Sequence, residues 1–381
     1  MYNYIPLEQA ADILDSYRKP VNSKERLNLI KGKPLDELFP YYGATGQVGW
    51  IDSFLTDGEY ILLGEDGAPF LNPYAEKAYI IHGKTWVNNH AHILHSKTNN
   101  EFLCYYLNYF NYKKYVSGTT RLKLTQAQMR KIPIPNVPSD EQSRIVAHIE
   151  ELFSKLDKAV DTLKTTKEQL EVYRQTILVD AFRAATNSTY LKVGCVCAKI
   201  VDCPHSTPKW EKSGKLCLRT TNFKRGYLDL QSPNYVSEET FHGRNRRIIP
   251  QPGDVLYSRE GSVLGIACTI PSNVYPCLGQ RMMLLRSGEK LNNRYLMHYL
   301  NSPMVTNHVI ATKGGTGSPH INVGDIKEFQ IPIPSLEEQS NIVRQIEEQL
   351  SSCDNVEKTV DSILTQADAM RQSILKQAFE E

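Results

Sequence analysis

The stretch Ser139–Arg183 reads SDEQSRIVAHIEELFSKLDKAVDTLKTTKEQLEVYRQTILVDAFR and holds neither glycine nor proline. Apolar residues recur in it every seven positions. One column takes Ile149, Leu156, Leu163, Leu170 and Ile177; a second takes Ile145, Leu152, Ala159, Thr166 and Tyr173. Such a repeat predicts one long helix whose seam packs on a partner helix. The partner is in the chain. Moving 197 positions on, from Glu141 to Glu338, gives EQSNIVRQIEEQLSSCDNVEKTVDSILTQADAMRQSILKQAFE. Its columns hold Ile346, Cys353, Val360, Ala367 and Ile374, and Ile342, Gln349, Val356, Ile363 and Met370. Between 141–183 and 338–380, 18 of 43 positions are identical, so the chain is an internal duplication.

Outward from the helices, the duplication continues. Ile132-Pro-Ile-Pro-Asn-Val-Pro138 is an extended stop before the first helix, and Ile134-Pro135 recurs as Ile331-Pro332. NNEFLCYYLN (99–108), an amphipathic helix with an asparagine at its start, recurs as NNRYLMHYLN (292–301). ILLGEDGA (61–68) parallels VLYSREGS (255–262), and VNNHAHILHS (87–96) parallels LGQRMMLLRS (278–287). Gly118-Thr119 parallels Gly315-Thr316. Short strands and glycine turns dominate these parts, after a short helix expected over 5–19. The expected plan is α+β: a globule over 1–138, a helix over 139–185, a related globule over 186–335 and a helix over 336–381. Each helix of about 45 residues extends roughly 65 Å. Antiparallel packing of the two would hold the globules apart, and DNA offers two reading places on one face ~34 Å apart.

Composition narrows the function classes. At 381 residues with a net charge of +2, the chain is no polycationic tail, so a basic surface must come from clustering. Its apolar runs are too short to span a bilayer, and MYNYIPLEQAADIL lacks the pattern of a signal peptide. Eight cysteines without regular spacing suit a reducing cytoplasm, and 21 tyrosines suit binding surfaces. Enzyme signatures are missing. Asn72-Pro73-Tyr74 is one proline short of a base-flipping methyltransferase string. Gly83-Lys84-Thr85 imitates a phosphate loop, but Ala78 stands at its first glycine position. His90, His92 and His95 have no cysteine beside them, and Cys195, Cys197, Cys203 and His205 depart from zinc spacing, so no metal is expected.

FPYYGATG, GEDGA and WVNNHAHIL in the first half, VDCPHSTPKW, LRTTNF and PGDVLYSREG in the second, with IPIP…EQ before a helix and RQTILVDAF or RQSILKQAF at its end, together resemble the specificity subunit of type I restriction–modification systems. The resemblance covers essentially the whole chain. It implies two target recognition domains, each reading one half of a bipartite asymmetric site in double-stranded DNA. It further implies spacer helices that dock two modification (methyltransferase) subunits, with restriction subunits able to join. On that view the chain is non-catalytic and binds no cofactor. S-adenosylmethionine belongs to the methyltransferase partner, ATP and magnesium to the restriction partner. The competing readings are a fragment of a fused restriction–modification enzyme and a structural coiled-coil adaptor without DNA reading.

Reading DNA takes cations for phosphates and planar polar groups for base edges. In the first globule the candidates are Tyr41, Tyr42, Thr45, Glu65, Asp66, Asn88, Asn89, His90 and His92, with Thr119, Arg121 and Lys123 on the turn before the long helix. In the second they are His205, Lys209, Arg219, Asn222, Lys224, Arg225, Arg259, Gln280 and Arg281, with Lys313, Thr316 and His320 on the equivalent turn. The repeated Arg174-Gln175 and Arg371-Gln372 fall outside the two apolar columns and are expected to support a partner or the helix ends.

Overall fold

The computed structural model describes residues 3–185, 188–312 and 319–380. Its two long helices run over Ser139–Ala184 and Leu336–Glu380, with acidic first turns that complement the helix dipole. A capping box starts the second: Glu338 N–H donates to Ser335 Oγ (3.2 Å) and Ser335 N–H to Glu338 Oε2 (2.9 Å). The chain divides into two compact units, Met1–Lys164 with Val360–Glu381, and Thr165–Thr359, so both helices contribute to both units.

Within each unit the helices run antiparallel. In unit 1, Arg371 ion-pairs with Asp157 and lies over the Phe153 ring, while Val146 and Ile149 share a core with Leu375 and Phe379. In unit 2, Arg174 pairs with Asp354 (2.6 Å) and Glu357 (2.9 Å), and Ile177 and Leu178 share a core with Val343, Ile346 and Cys353. Arg174 with Asp354 and Arg371 with Asp157 are the same contact made twice.

One expected column packs inward: Ile149, Ile177, Ile346, Cys353, Val360 and Ala367 are buried. The other does so only in part: Ile145 and Ile342 are half-buried against the cores, whereas Tyr173, Val356, Ile363 and Met370 are 52, 45, 40 and 50% exposed. The second inward column is shifted by one residue, through Val146, Phe153, Val160 and Arg174 and through Val343, Leu350, Leu364 and Arg371. A heptad seam allows either neighbour of the first column, and the sequence pattern favoured the more apolar one. The arginines are therefore seam residues, against the sequence expectation. Arg174→Ala is expected to cost unit 2 about 1–2 kcal/mol, because a charge-assisted pair is lost while its carboxylates regain water. Urea unfolding of the two proteins checks this.

The first globule centres on a six-stranded sheet. Its strands are β1 (Ala11–Ile13), β2 (Phe39–Gly43), β3 (Gly46–Ile51), β4 (Thr56–Gly64), β5 (Ala78–Val87) and β6 (Ala91–Ser96), in the order β1-β6-β4-β5-β2-β3. The expected helix over 5–19 is broken into a strand at Tyr4–Pro6, a helical turn at Leu7–Ala10, β1 and a 3-10 turn at Asp15–Tyr17. Pairing of Tyr4–Pro6 with Pro133–Pro135, and of Ala11–Ile13 with β6, supersedes local helix propensity. The second globule repeats the first four positions with β7 (Cys197–Asp202), β8 (Val255–Ser258), β9 (Ala267–Thr269) and β10 (Met282–Ser287), ordered β7-β10-β8-β9. Register is kept as well. Ile61↔Leu94 and Leu63↔His92 in the first sheet correspond to Val255↔Leu285 and Tyr257↔Met283 in the second.

A helix backs each sheet. Asn99 caps Asn100–Tyr109 by accepting from Phe102 N–H (2.7 Å), and Asn292 caps Asn293–Asn301 through Tyr295 N–H (3.2 Å). Asn108 exchanges two hydrogen bonds with the Ala78 backbone and Asn301 does so with Ala267, tying helix to sheet in the same way. The long helices then lock on. Buried Gln142 donates to Val137 O (2.8 Å) and accepts from Thr98 Oγ1 (2.9 Å). Buried Gln339 donates to Lys290 O (2.9 Å) and accepts from Asn292 N–H (2.8 Å). The far helix ends supply aromatic plugs. Phe379 meets Phe102 and Tyr106 at 5.4 and 5.3 Å, and Phe182 meets Tyr295 and Tyr299 at 5.1 and 5.2 Å. Each globule is thus closed by the start of one long helix and the end of the other.

Candidate nucleic-acid interface

The loop after the central strand of each sheet carries charged candidates, Glu65 and Asp66 in the first and Arg259 in the second, and the same backbone bonds hold it in both units. Glu65 N–H donates to His90 O (2.7 Å) as Arg259 N–H does to Arg281 O (3.0 Å). Leu124 N–H donates to Glu65 O (2.8 Å) as Ile321 N–H does to Arg259 O (3.0 Å). Gly67 N–H donates to Leu122 O (3.0 Å) as Gly261 N–H does to Pro319 O (2.9 Å). Isolated bridges Asp66↔Lys123 and Glu260↔His320 complete the match. Three loops therefore converge at one tip in each globule. Gly67 and Gly261 turn there with φ of 81° and 91°, which a side chain would disfavour.

On this shared frame the side chains differ. In unit 1 a cleft of about 650 Å³ is lined by Thr45, Asp66, Asn88, His90, Thr120 and Arg121. Arg121 pairs with Asp66 (2.7 Å), and His90 Nδ1 lies 3.6 Å from the same carboxylate. Asn88 turns its side chain inward, accepting from His90 N–H (2.8 Å). Thr119, Arg121, Lys123, Thr45 and Asn89 are exposed.

Below the tip lies a buried charge network. Asp15 Oδ2 meets His92 Nδ1 (2.7 Å), Arg18 (3.0 Å) and Gln126 Nε2 (2.8 Å), and its Oδ1 accepts from Ile93 N–H (3.0 Å). His92 Nε2 faces Leu124 O at 3.0 Å. Arg18 continues to Glu65, which Lys123 reaches at 3.3 Å. Burial would raise the Asp15 carboxyl, but the His92 hydrogen bond and the His92 and Arg18 charges outweigh it and hold it below the usual range. Glu65 is likewise lowered: burial opposes ionisation, and the Arg18 hydrogen bond with the His92 and Arg18 charges overcomes it. His92 is fully buried and Tyr41 is a core residue hydrogen-bonded to Val21, so neither reaches the surface. Tyr42 is half-buried against Tyr79.

In unit 2 the tip is built from Asp202, His205, Arg259, Gln280 and Arg281. Arg259, only 7% exposed, is clamped by both Asp202 oxygens (2.8 and 3.0 Å), with His205 Nε2 at 3.1 Å from Asp202. Gln280 Nε2 donates to His205 O (2.8 Å). Arg281 is exposed, lies 3.8 Å from Glu260, and is the one non-glycine with positive φ (66°) among the described residues. Asn222 is buried between Arg219 N–H and Asp229 O, which makes it a turn residue rather than a reader. Exposed Arg219 covers the Trp210 ring at 5.4 Å, and Lys209 is exposed. Lys224 and Arg225 are not at the tip set: they line a groove with Glu171, Arg174 and Gln175 of the long helix. Lys313 and Thr316 lie outside the described residues.

Sequence reading missed Asp15, Arg18, Gln126 and Asp202, which are remote in the chain from the loops that they brace. Arg244 is also a loop brace rather than a reader. Its guanidinium donates to Leu278, Gly279, Pro204 and Ser206 carbonyls, fastening the 204–206 loop. Among the described residues no group of three His, Cys, Asp or Glu side chains is placed to hold a metal, and no helix is long and apolar enough to cross a membrane.

A family model described as the type I restriction modification DNA specificity domain matches residues 9–172 and again 208–365. The chain belongs to this family. It is a DNA sequence-specificity subunit of the type I restriction–modification kind. Similar proteins include S.HindORF215P of Haemophilus influenzae, 28% identical over 350 residues, covering 89% of this chain and 85% of the relative. The EcoDI specificity subunit of Escherichia coli is 24% identical over 400 residues, covering 95% and 87%. The fold is that of the HsdS subunit from Thermoanaerobacter tengcongensis (TM-score 0.58, 18% identity, 99% and 96% covered). A structure from work on assembly and conformational transition of the type I R-M system is also similar (TM-score 0.69, 18% identity, 99% and 97% covered). The matches to a specificity family, one per repeat, favour the DNA-reading account over an adaptor or a fused enzyme.

Proposed function

We propose that each tip reads one half of a bipartite, asymmetric site in double-stranded DNA. The observation that carries this is the common frame with unlike side chains: Glu65, Asp66, His90 and Lys123 at one tip stand where Arg259, Glu260, Arg281 and His320 stand at the other. One frame presenting two chemistries suits two different half-sites. On this reading Thr45, Asp66, His90, Asn89, Thr119, Arg121 and Lys123 face the first half. His205, Gln280, Arg281 and His320 face the second, with Lys209 and Arg219 on phosphates. The chain is non-catalytic and cytoplasmic. Two modification subunits dock on the helices, whose outward apolar residues such as Tyr173, Val356, Ile363 and Met370 need cover. Those partners supply S-adenosylmethionine chemistry, and restriction subunits supply ATP- and magnesium-dependent cleavage.

Mapping methylated adenines in DNA treated with the chain plus its modification subunit tests the reading. A split motif with a fixed gap is expected, and exchanging residues 1–138 for those of a relative should change one half only. A motif altered in both halves would refute it. Arg281 gives a sharper check. A guanidinium paired to a guanine edge discriminates by about 1–3 kcal/mol, so Arg281→Ala should relax one position of the second half. Arg281→Gly should relax it equally while slightly raising thermal stability, because glycine accepts φ of 66° without the ~1–2 kcal/mol left-handed penalty.

A further inference from the structure

Inside unit 1 lies a cavity of about 730 Å³ that shares no lining residue with the cleft at the tip. Lys77 lines it, and its side chain is 2% exposed. Among the described residues the acceptor that its ammonium reaches is Pro73 O, at 3.2 Å, and no carboxylate pairs with it. An ammonium has three donors, and a buried charge without a counter-charge is costly. Burial alone pushes this lysine down to about 8. The lining contains no acidic residue, and Lys113 adds a further ammonium group. Lys376, also in the lining, is paired with Glu380 (3.7 Å), whose carboxylate accepts from Tyr109 Oη (2.6 Å) at the same wall and leaves Lys77 without a counter-charge. The walls are aromatic: Phe70, Tyr109 and Phe110, with Tyr74 left 54% exposed at the mouth. A cation beside aromatic walls is complementary to a planar group that carries negative charge.

From this geometry we infer that the cavity binds a small anion with a planar ring, a carboxylate or phosphate joined to an aromatic or heteroaromatic system, with the Lys77 ammonium as counter-charge and Tyr74 and Phe110 against the ring. None of its lining residues belongs to the proposed DNA-reading set. In unit 2 the corresponding Asn301–Ala267 contact is preceded by Ile266 where unit 1 has Lys77, so the site belongs to one unit alone.

Calorimetric titration of the whole chain with benzoate and with adenosine 5′-monophosphate tests it, with benzamide and adenosine as uncharged counterparts. At pH 7 at least one anion should bind and its uncharged counterpart should not. Binding of both marks the charge as decisive, and binding of the nucleotide alone narrows the class to ring phosphates. Affinity should weaken as pH rises past about 8, where the free lysine loses its proton. Lys77→Met should reduce anion affinity by roughly tenfold or more while keeping or raising the melting temperature, since it removes an unpaired buried charge. Tyr74→Ala, at the exposed mouth, should weaken binding without altering the fold. No binding by either anion overturns the inference. So does binding that survives Lys77→Met, or a Lys77→Met protein destabilised like a core truncation, which would make the lysine structural.

Discussion

Phe379→Ala is expected to destabilise unit 1 by about 3–5 kcal/mol, the range for truncating a fully packed phenylalanine. Phe379 is 3% exposed and lies between Phe102, Tyr106 and Tyr109, the last stacked at 5.6 Å and 27°. Alanine would leave a cavity between the end of the second long helix and the helix Asn100–Tyr109, and those elements cannot both collapse into it. Phe182→Ala should act alike on unit 2, where the ring is fully buried against Tyr295 and Tyr299. Denaturant midpoints of the two variants are the measurement. A loss below about 1 kcal/mol would mean that the helix ends do not hold the globules as described.

Asp15→Ala should cost a similar amount, about 3–5 kcal/mol, since removing one member of a buried charge set leaves the rest uncompensated. His92, fully buried, would lose its hydrogen-bonded carboxylate and keep only Glu65 at 3.8 Å, and Arg18 would lose one of its two. The effect has a pH signature. Asp15 and Glu65 titrate below their ordinary values of 3.8 and 4.5 when folded, so the stability that they contribute is complete above about pH 5. It is lost as pH falls through those values and below. The gap in unfolding free energy between the native chain and Asp15→Ala should therefore be widest above about pH 5 and shrink steadily as pH is lowered below 4. A gap independent of pH would show that packing, not charge, is what Asp15 supplies. Because Arg18 and Lys123 position Glu65 beneath the tip, the same variant should also blur the first half of the methylated motif and leave the second intact.

What was legible in the sequence was periodic or repeated. A seven-residue apolar period, the absence of glycine and proline, and an asparagine cap are local signals; the first two set both long helices and the third the helix behind each sheet. The duplication told which parts are equivalent, down to Gly67 with Gly261 at the tips. Family likeness pointed to DNA reading, and several candidates, among them Asp66, His90, Arg121, Gln280 and Arg281, do converge on the tips.

Other features depended on contacts between residues remote in the chain. Either neighbour of the first apolar column satisfies a heptad, and only packing chose the column holding Arg174 over the one holding Tyr173. Nothing local says that Phe379, at the end of the second helix, plugs the first globule, because that contact joins residues from opposite ends of the chain. His92 and Tyr41 have the side chains of readers, yet sheet pairing turns them inward, to Asp15 and to Val21. Residue type and period are properties of a segment. Which face is buried, and which charge finds its partner, are properties of the folded contacts, and these decided the rest.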